Sequence, residues 1–314
     1  MQHKKIVILG TGGTIAGTAS RPSNNIDYTA AQVGVSQLVG SIGGLVANME
    51  TEQVAQIDSK DMSFEVWTLL AQRVQHYLSR NDVQGVVITH GTDTLEETAY
   101  FLHLVLSPAK PVVLTCAMRP ASSLAPDGPQ NILDATAVAS HPGAHGVTVV
   151  CSGAIHAALD VQKTHPYQLN AFGSGDAGVI GFVEENTLRL VKDWPLAHLK
   201  SGLSATEKIA NLGRCNDWPR VDIVMNYAGV SGALVDALVA QGVRGLVVAC
   251  TGNGTVHWSL NDALLRAQAL GVQVIRSTRC PQGRVLPRVA DSFPDSDGLS
   301  PVKARIALML RLMC

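Results

Sequence analysis

The sequence predicts an α/β protein of two domains, a larger N-terminal domain with a mostly parallel sheet and a smaller C-terminal α/β domain. Short β-branched runs alternate with helical patterns along most of the 314 residues, as happens when helices cross between parallel strands. The alternation fades between about 192 and 220, where "KDWPLAHLKSGLSATEKIANLGRCNDWPR" carries prolines at both ends, and then resumes. The length itself accommodates two domains of about 150 residues each. The expected boundaries are an N-terminal domain over 1–195, a linker over 196–219 and a C-terminal domain over 220–314.

Taken in order, "KIVIL" (5–9) is a strand that runs into the glycine-rich turn "GTGGTIAG" (10–17). The Asn-, Ser- and Pro-rich composition around 20–25 marks a flexible loop. "FEVWTLLAQRVQHYL" (64–78) has helical spacing, with Val66, Leu69, Leu70, Val74 and Leu78 on one face. "GVVIT" (85–89), "PVVLT" (111–115) and "VTVV" (147–150) are buried strands, and Leu95, Ala99, Leu102 and Leu106 place a helix directly after the first of them. Beyond the linker, "VDIVMNY" (221–227), "GLVVAC" (245–250) and "VQVIRS" (272–277) are strands, and "PVKARIALMLRLM" is the closing helix.

Composition excludes several function classes. With 24 Lys and Arg against 25 Asp and Glu, a net charge of −1 supplies no long-range field for nucleic acid or an anionic membrane. The apolar part of the amino terminus, Ile6 to Leu9, is too short for a membrane span or a signal-peptide core. Cys116, Cys151 and Cys250 fall within apolar runs, and no C-x-x-C pair occurs among the six cysteines. Reduced, buried thiols and a cytoplasmic setting are therefore expected, with a periplasmic one as the alternative if a leader has been removed, and Cys314 is expected to be frayed. His141 and His145 are four apart, but the Pro and Gly of "HPGAH" deny them one helix face, so no metal is expected.

Two stretches carry candidate chemistry. The turn at 10–17 departs from a dinucleotide fingerprint, which needs a small residue where Ile15 stands, and from a phosphate loop, which needs lysine where Thr18 stands. What the turn presents is the Thr14 hydroxyl among glycines that let a substrate come close. In "VVITHGTDTLEETAYFLHLVL" (86–106) a polar cluster stands where a strand gives way to a helix. Taken alone, Thr92, Asp93 and Thr94 are ordinary helix-capping residues, with Glu96 and Glu97 favouring the helix dipole. Taken alone, the glycine turn is structural.

Together the two stretches say more. "TGGTIAG", "HGTDTLEETA", "AMRP" (117–120), "DGPQN" (127–131), "IDSKDM" (57–62), "DVQKTH" (160–165), "NYAG" (226–229), "GNGT" (252–255) and "PVKAR" (301–305) occur in the order in which they resemble the bacterial-type L-asparaginase family. The resemblance spans nearly the whole chain. It implies an amidohydrolase that releases ammonia from L-asparagine through an acyl-threonine intermediate, with no cofactor. Thr14 would be the nucleophile, Tyr28 its hydrogen-bonding partner on a mobile lid, and Thr92, Asp93 and Lys163 a second catalytic group.

The substrate, a small amino-acid amide, would be held by Asp93 at its α-ammonium and by Ser59 at its α-carboxylate, with Thr92, the Ala117 backbone and Asn253 nearby. A homotetramer built as a dimer of dimers is also implied. Two positions depart from the family pattern. Lys60 follows Ser59 where a glutamine or glutamate is usual, and the loop "PQGRVLPRVADSFPDSDGLSP" (281–301) has no glutamate, leaving Asp291, Asp295 or Asp297 as substitutes. Lys60 would repel an α-ammonium. The alternatives are an amidase for glutamine, a D-isomer or another small amide, and a binding homologue without turnover. His90 is read as structural.

Overall fold

The computed structural model describes residues 4–42, 48–195, 204–214, 218–289 and 291–313. They form two compact units, 1–214 and 215–314. The first unit contains β1 (Lys5–Gly12), β2 (Thr18–Ala19), β3 (Tyr28–Thr29), α1 (Val35–Gly40), β4 (Met49–Ile57), α2 (Phe64–Ser79), β5 (Val83–Thr89), α3 (Leu95–Leu106), β6 (Val112–Thr115), α4 (Gly128–Ser140) and β7 (Val147–Cys151). It continues with β8 (Ala154–Ala157), β9 (Gln162–Lys163), β10 (Phe172–Gly173), β11 (Gly181–Glu184), β12 (Thr187–Leu190) and α5 (Ala205–Arg214). The second unit holds β13 (Val221–Met225), α6 (Ala233–Ala240), β14 (Gly245–Cys250), α7 (Trp258–Ala269), β15 (Gln273–Thr278) and α8 (Pro301–Leu312).

The main sheet has the order β12-β11-β8-β7-β6-β5-β1-β4. From β4 to β7 all neighbours are parallel, and β8, β11 and β12 close one edge with antiparallel pairs. After β1 the chain crosses to β4 on one side, then returns to β5 on the other. That reversal makes the β1/β5 boundary the switch point, where an open α/β sheet leaves a crevice beyond its strand carboxyl ends. The second unit is a small parallel sheet, β13-β14-β15.

The central strands are apolar throughout because they are covered on both faces. Val7, Ile8 and Leu9 of β1 and Val86, Val87 and Ile88 of β5 are fully buried. One core of the first unit joins β1, β5, β6 and β7 with α1 and α4 through Ile8, Val87, Val113, Val150, Leu38 and Ile132. The core of the second joins Val224, Leu246 and Val248 to Leu260 and Leu264 of α7.

Three features depart from expectation. The buried face of α2 is Trp67, Leu70, Ala71, Val74 and Tyr77, while Leu69 is exposed. The two aromatics win the inner face: Trp67 stacks on Phe101 with centroids 4.8 Å apart, and the Tyr77 hydroxyl donates to Glu52 at 2.6 Å. β4 is a strand of polar sequence at the sheet edge, where Glu52 accepts two bonds from Arg73 at 2.7 Å and Glu50 accepts two from Arg80 at 2.9 Å. Finally, the segment expected as a linker contains α5, which packs on α2 and α3. Its Ile209 and Leu212 are buried, so it belongs to the first unit. The rest of that segment, 196–203 and 215–217, lies outside the described residues, as does Cys314.

Candidate active site

β1 and β5 run side by side with Gly10 opposite Thr89, so the loops that follow them leave the sheet together. Gly13 takes φ 82° and Gly91 stands against it: a Cβ added at Gly13 would lie 2.2 Å from the Gly91 Cα. A Cβ on Gly91 would in turn lie 2.4 Å from Ser59 Oγ. Only glycine allows such an approach. It packs the segment before Thr14, the segment before Thr92 and Ser59 against one another without intervening side chains.

Thr14 opens a single 3-10 turn and is buried. Its Oγ1 is 2.6 Å from the Tyr28 hydroxyl. Tyr28 arrives on the short β2–β3 ribbon, paired with Ala19. In the segment between those strands Asn24 turns the chain by accepting from the Ile26 and Asp27 N–H groups, and Asn25 accepts from Ser123 at 2.8 Å.

Thr92 is also buried. Lys163 Nζ donates to Thr92 Oγ1 at 2.8 Å and to Asp93 Oδ1 at 2.6 Å. The Asp93 N–H donates to Ser59 Oγ at 3.2 Å, and Thr94 Oγ1 donates to the Ser59 carbonyl at 2.8 Å. Ser59 is thereby fixed beside the second threonine. Ala117 is buried just beyond β6. Asp127 holds that loop by accepting from the N–H groups of Met118 and Arg119, both at 2.9 Å, while Asn131 donates to the Cys116 carbonyl at 2.9 Å. The structure thus places Thr14, Ser59, Thr92 and Asp93 on adjoining segments at the switch point, brings Tyr28 from β3 to Thr14 and Lys163 from β9 to Thr92, and sets Ala117 on the loop after the next strand. Asp127 and Asn131 lie in a motif quoted from the sequence, but their buttressing needed coordinates.

Asn253 belongs to the second unit. Between Gly252 and Gly254, both at positive φ, its side-chain amide donates to the Leu286 carbonyl at 3.3 Å and accepts from the Leu286 N–H at 2.7 Å. It therefore pins the 281–301 loop. In that loop Asp291 is paired with the buried Arg276 at 2.6 Å, and this hydrogen bond pulls its carboxyl below the usual range. Asp295 accepts from the Asp297 N–H at 2.8 Å. Asp297 is exposed at φ 54°.

The Lys60 ammonium bonds Asp61 and lies 4.0 Å from Asp58. The Asp61 bond, then the charges of Asp61, Asp58 and Asp93, hold it protonated above the usual lysine range. Among the thiols, Cys116, Cys151 and Cys250 are buried and free. Burial raises Cys116 well above the ordinary thiol range and pushes Cys250 up to about 12. Among the described residues no group of three His, Cys, Asp or Glu side chains is placed to hold a metal ion, and no helix is long and apolar enough to cross a membrane.

Comparison with known proteins matches residues 5–196 to the asparaginase N-terminal domain and residues 220–314 to the glutaminase/asparaginase C-terminal domain. L-asparaginase 2 of Escherichia coli (strain K12) is 38% identical over 316 residues, covering 98% of this chain and 88% of that protein. The glutaminase-asparaginase of Pseudomonas fluorescens biotype A is 37% identical, covering 98% of this chain and 86% of its own. The crystal structure of a probable cytoplasmic L-asparaginase from Campylobacter jejuni superposes with a TM-score of 0.90 at 35% identity, covering 98% of this chain and 95% of that one. Two α/β domains with this site define a hydrolase of amide C–N bonds. The chain belongs to the asparaginase family.

Proposed function

We propose that the protein hydrolyses L-asparagine to L-aspartate and ammonia through an ester on Thr14. One observation carries the reading: two threonine hydroxyls on touching glycine backbones, one bonded to a phenol at 2.6 Å and the other to an ammonium at 2.8 Å. Thr14 Oγ1 attacks the side-chain amide carbon, a C–O bond forms and the C–N bond breaks. The threonine proton leaves with ammonia by way of Tyr28. Water then cleaves the ester, giving the carboxylic acid and restoring the hydroxyl.

Lys163 stabilises negative charge as it develops at Thr92 or its water, and Asp93 fixes the ammonium. Asp93 and Ser59 orient the substrate by its two charged ends, with Ala117 and Asn253 as further binding groups. Ammonia release from L-asparagine tests this, with Thr14→Ala and Thr92→Val in parallel. Loss of at least about a thousandfold in each variant is expected; retention of the rate in Thr14→Ala would remove the nucleophile.

Lys60 favours a second reading, an amide without a free α-ammonium. Comparing ammonia release from asparagine, glutamine, D-asparagine and succinamate decides between them. A dimer-of-dimers assembly is supported by Met225, Tyr227, Leu234 and Trp258, large apolar side chains exposed on the second unit, and sedimentation velocity tests it. A cytoplasmic location is supported by the three buried free thiols, and cell fractionation checks it.

A further inference from the structure

Lys163 reaches Thr92 and Asp93 with its ammonium, yet it stands on β9, a strand of two residues. β9 pairs antiparallel with β10, placing Lys163 opposite Phe172. In such a ribbon alternate N–H groups face the partner strand and the intervening ones face away. The Thr164 N–H faces inward and donates to the Ala171 carbonyl at 2.7 Å. The Lys163 N–H faces outward, and its acceptor is a carboxylate 67 residues away, Glu96 Oε2 at 2.9 Å.

Glu96 lies in the first turn of α3, four positions after Thr92. The same short segment, 92–96, therefore holds Lys163 at both ends. Thr92 Oγ1 and Asp93 Oδ1 take the ammonium, and Glu96 takes the main chain. We propose that Glu96 is the positioning residue for Lys163, fixing β9 so that the ammonium meets Thr92; this rests on the catalytic roles proposed above.

A lysine stem absorbs a main-chain shift only by changing rotamers. Hydrogen bonds lose strength as they stretch or bend, and misplacement of a reacting group by about 1 Å costs up to about a hundredfold in rate. A residue at the start of a helix that only favoured the helix dipole would act through its charge. Glu96 instead acts through an accepting oxygen at a set place, which a glutamine also supplies.

The test uses the full chain as wild type, Glu96→Gln, Glu96→Ala and Lys163→Ala. Kinetics of ammonia release from L-asparagine are read beside acylation of lysine amines by acetic anhydride, mapped by mass spectrometry. Glu96→Ala is expected to lower kcat by at least about tenfold with KM changed less than about twofold, and to make Lys163 acylate several-fold faster. Glu96→Gln is expected to stay within about threefold of wild type on both readouts.

Equal kcat and equal acylation in wild type and Glu96→Ala overturn the proposal. So does an equal loss in Glu96→Ala and Glu96→Gln, which would make the charge the active property. If Glu96→Ala does not fold, Glu96→Asp replaces it: with its reach one methylene shorter, a lowered kcat upholds the role and a wild-type kcat overturns it. If wild type releases no ammonia, the asparaginase reading falls, while the acylation rates at Lys163 still decide the role of Glu96.

Discussion

Acid will loosen this protein through one enclosed side chain, His90. The Trp67 indole N–H donates to Thr98 Oγ1 at 2.8 Å, Thr98 Oγ1 lies 2.9 Å from His90 Nε2, and His90 Nδ1 lies 2.7 Å from the Gly91 carbonyl. An indole only donates and a carbonyl only accepts. The Thr98 proton therefore goes to Nε2 and Nδ1 carries the ring hydrogen, so a second ring proton at Nε2 must first displace the Thr98 bond.

Burial lowers the His90 pKa from 6.5 to about 4. An unfolded chain takes up the proton below 6.5, the folded one only near 4, so the unfolded state binds more protons in between and stability falls as pH drops through that window. One pH unit corresponds to about 1.36 kcal/mol, so about 2 kcal/mol is lost on reaching pH 5. Urea denaturation of wild type and His90→Asn at pH 8, 6 and 5 reads this out. The variant starts less stable at pH 8, and its decline to pH 5 is shallower than that of wild type by about 2 kcal/mol. Equal declines would show that His90 does not titrate in this window and would refute the argument.

Three further outcomes are expected. Gly13→Ala meets the Gly91 Cα at 2.2 Å from a positive φ, whereas Gly143→Ala, at φ 84°, meets nothing within 4 Å. The first is expected to lose more than about 2 kcal/mol and all ammonia release, the second about 1 kcal/mol with activity intact, by thermal unfolding and rate assays. Tyr28→Phe removes the partner of Thr14 and is expected to lower kcat by about a hundredfold or more with a small change in KM, checked by steady-state kinetics. Lys60→Gln removes a cation from the neighbourhood of Asp93 and is expected to lower KM for L-asparagine several-fold without lowering KM for succinamate.

What the sequence made legible follows from burial. The central strands are continuous apolar runs because both faces are covered, and 5–9, 85–89 and 245–250 read directly as strands. β4 is opaque for the opposite reason: an edge strand carries Glu50 and Glu52, whose value lies in Arg80 and Arg73 elsewhere in the chain. The inner face of α2 turned on what Trp67 and Tyr77 would meet, and spacing alone does not contain that. α5 was hidden by prolines around it that suggested a linker.

At the site, the residue types and motif order point to Thr14, Thr92, Asp93 and Lys163, although nothing local in "DVQKTH" marks Lys163 by itself. Glu96 read as a dipole residue, and the Gly13–Gly91 approach was invisible. Both join positions 67 and 78 residues apart, a separation that no local pattern records.

Thr14 and Thr92 stand on segments that leave neighbouring strands, which in a sheet run about 4.8 Å apart. How closely the two segments approach is thus a main-chain property of Gly13 and Gly91, and any side chain added at either forces them apart. A variant intended for a larger amide would have to gain its room around Tyr28, in the 20–28 segment, and leave the glycine contact as it is.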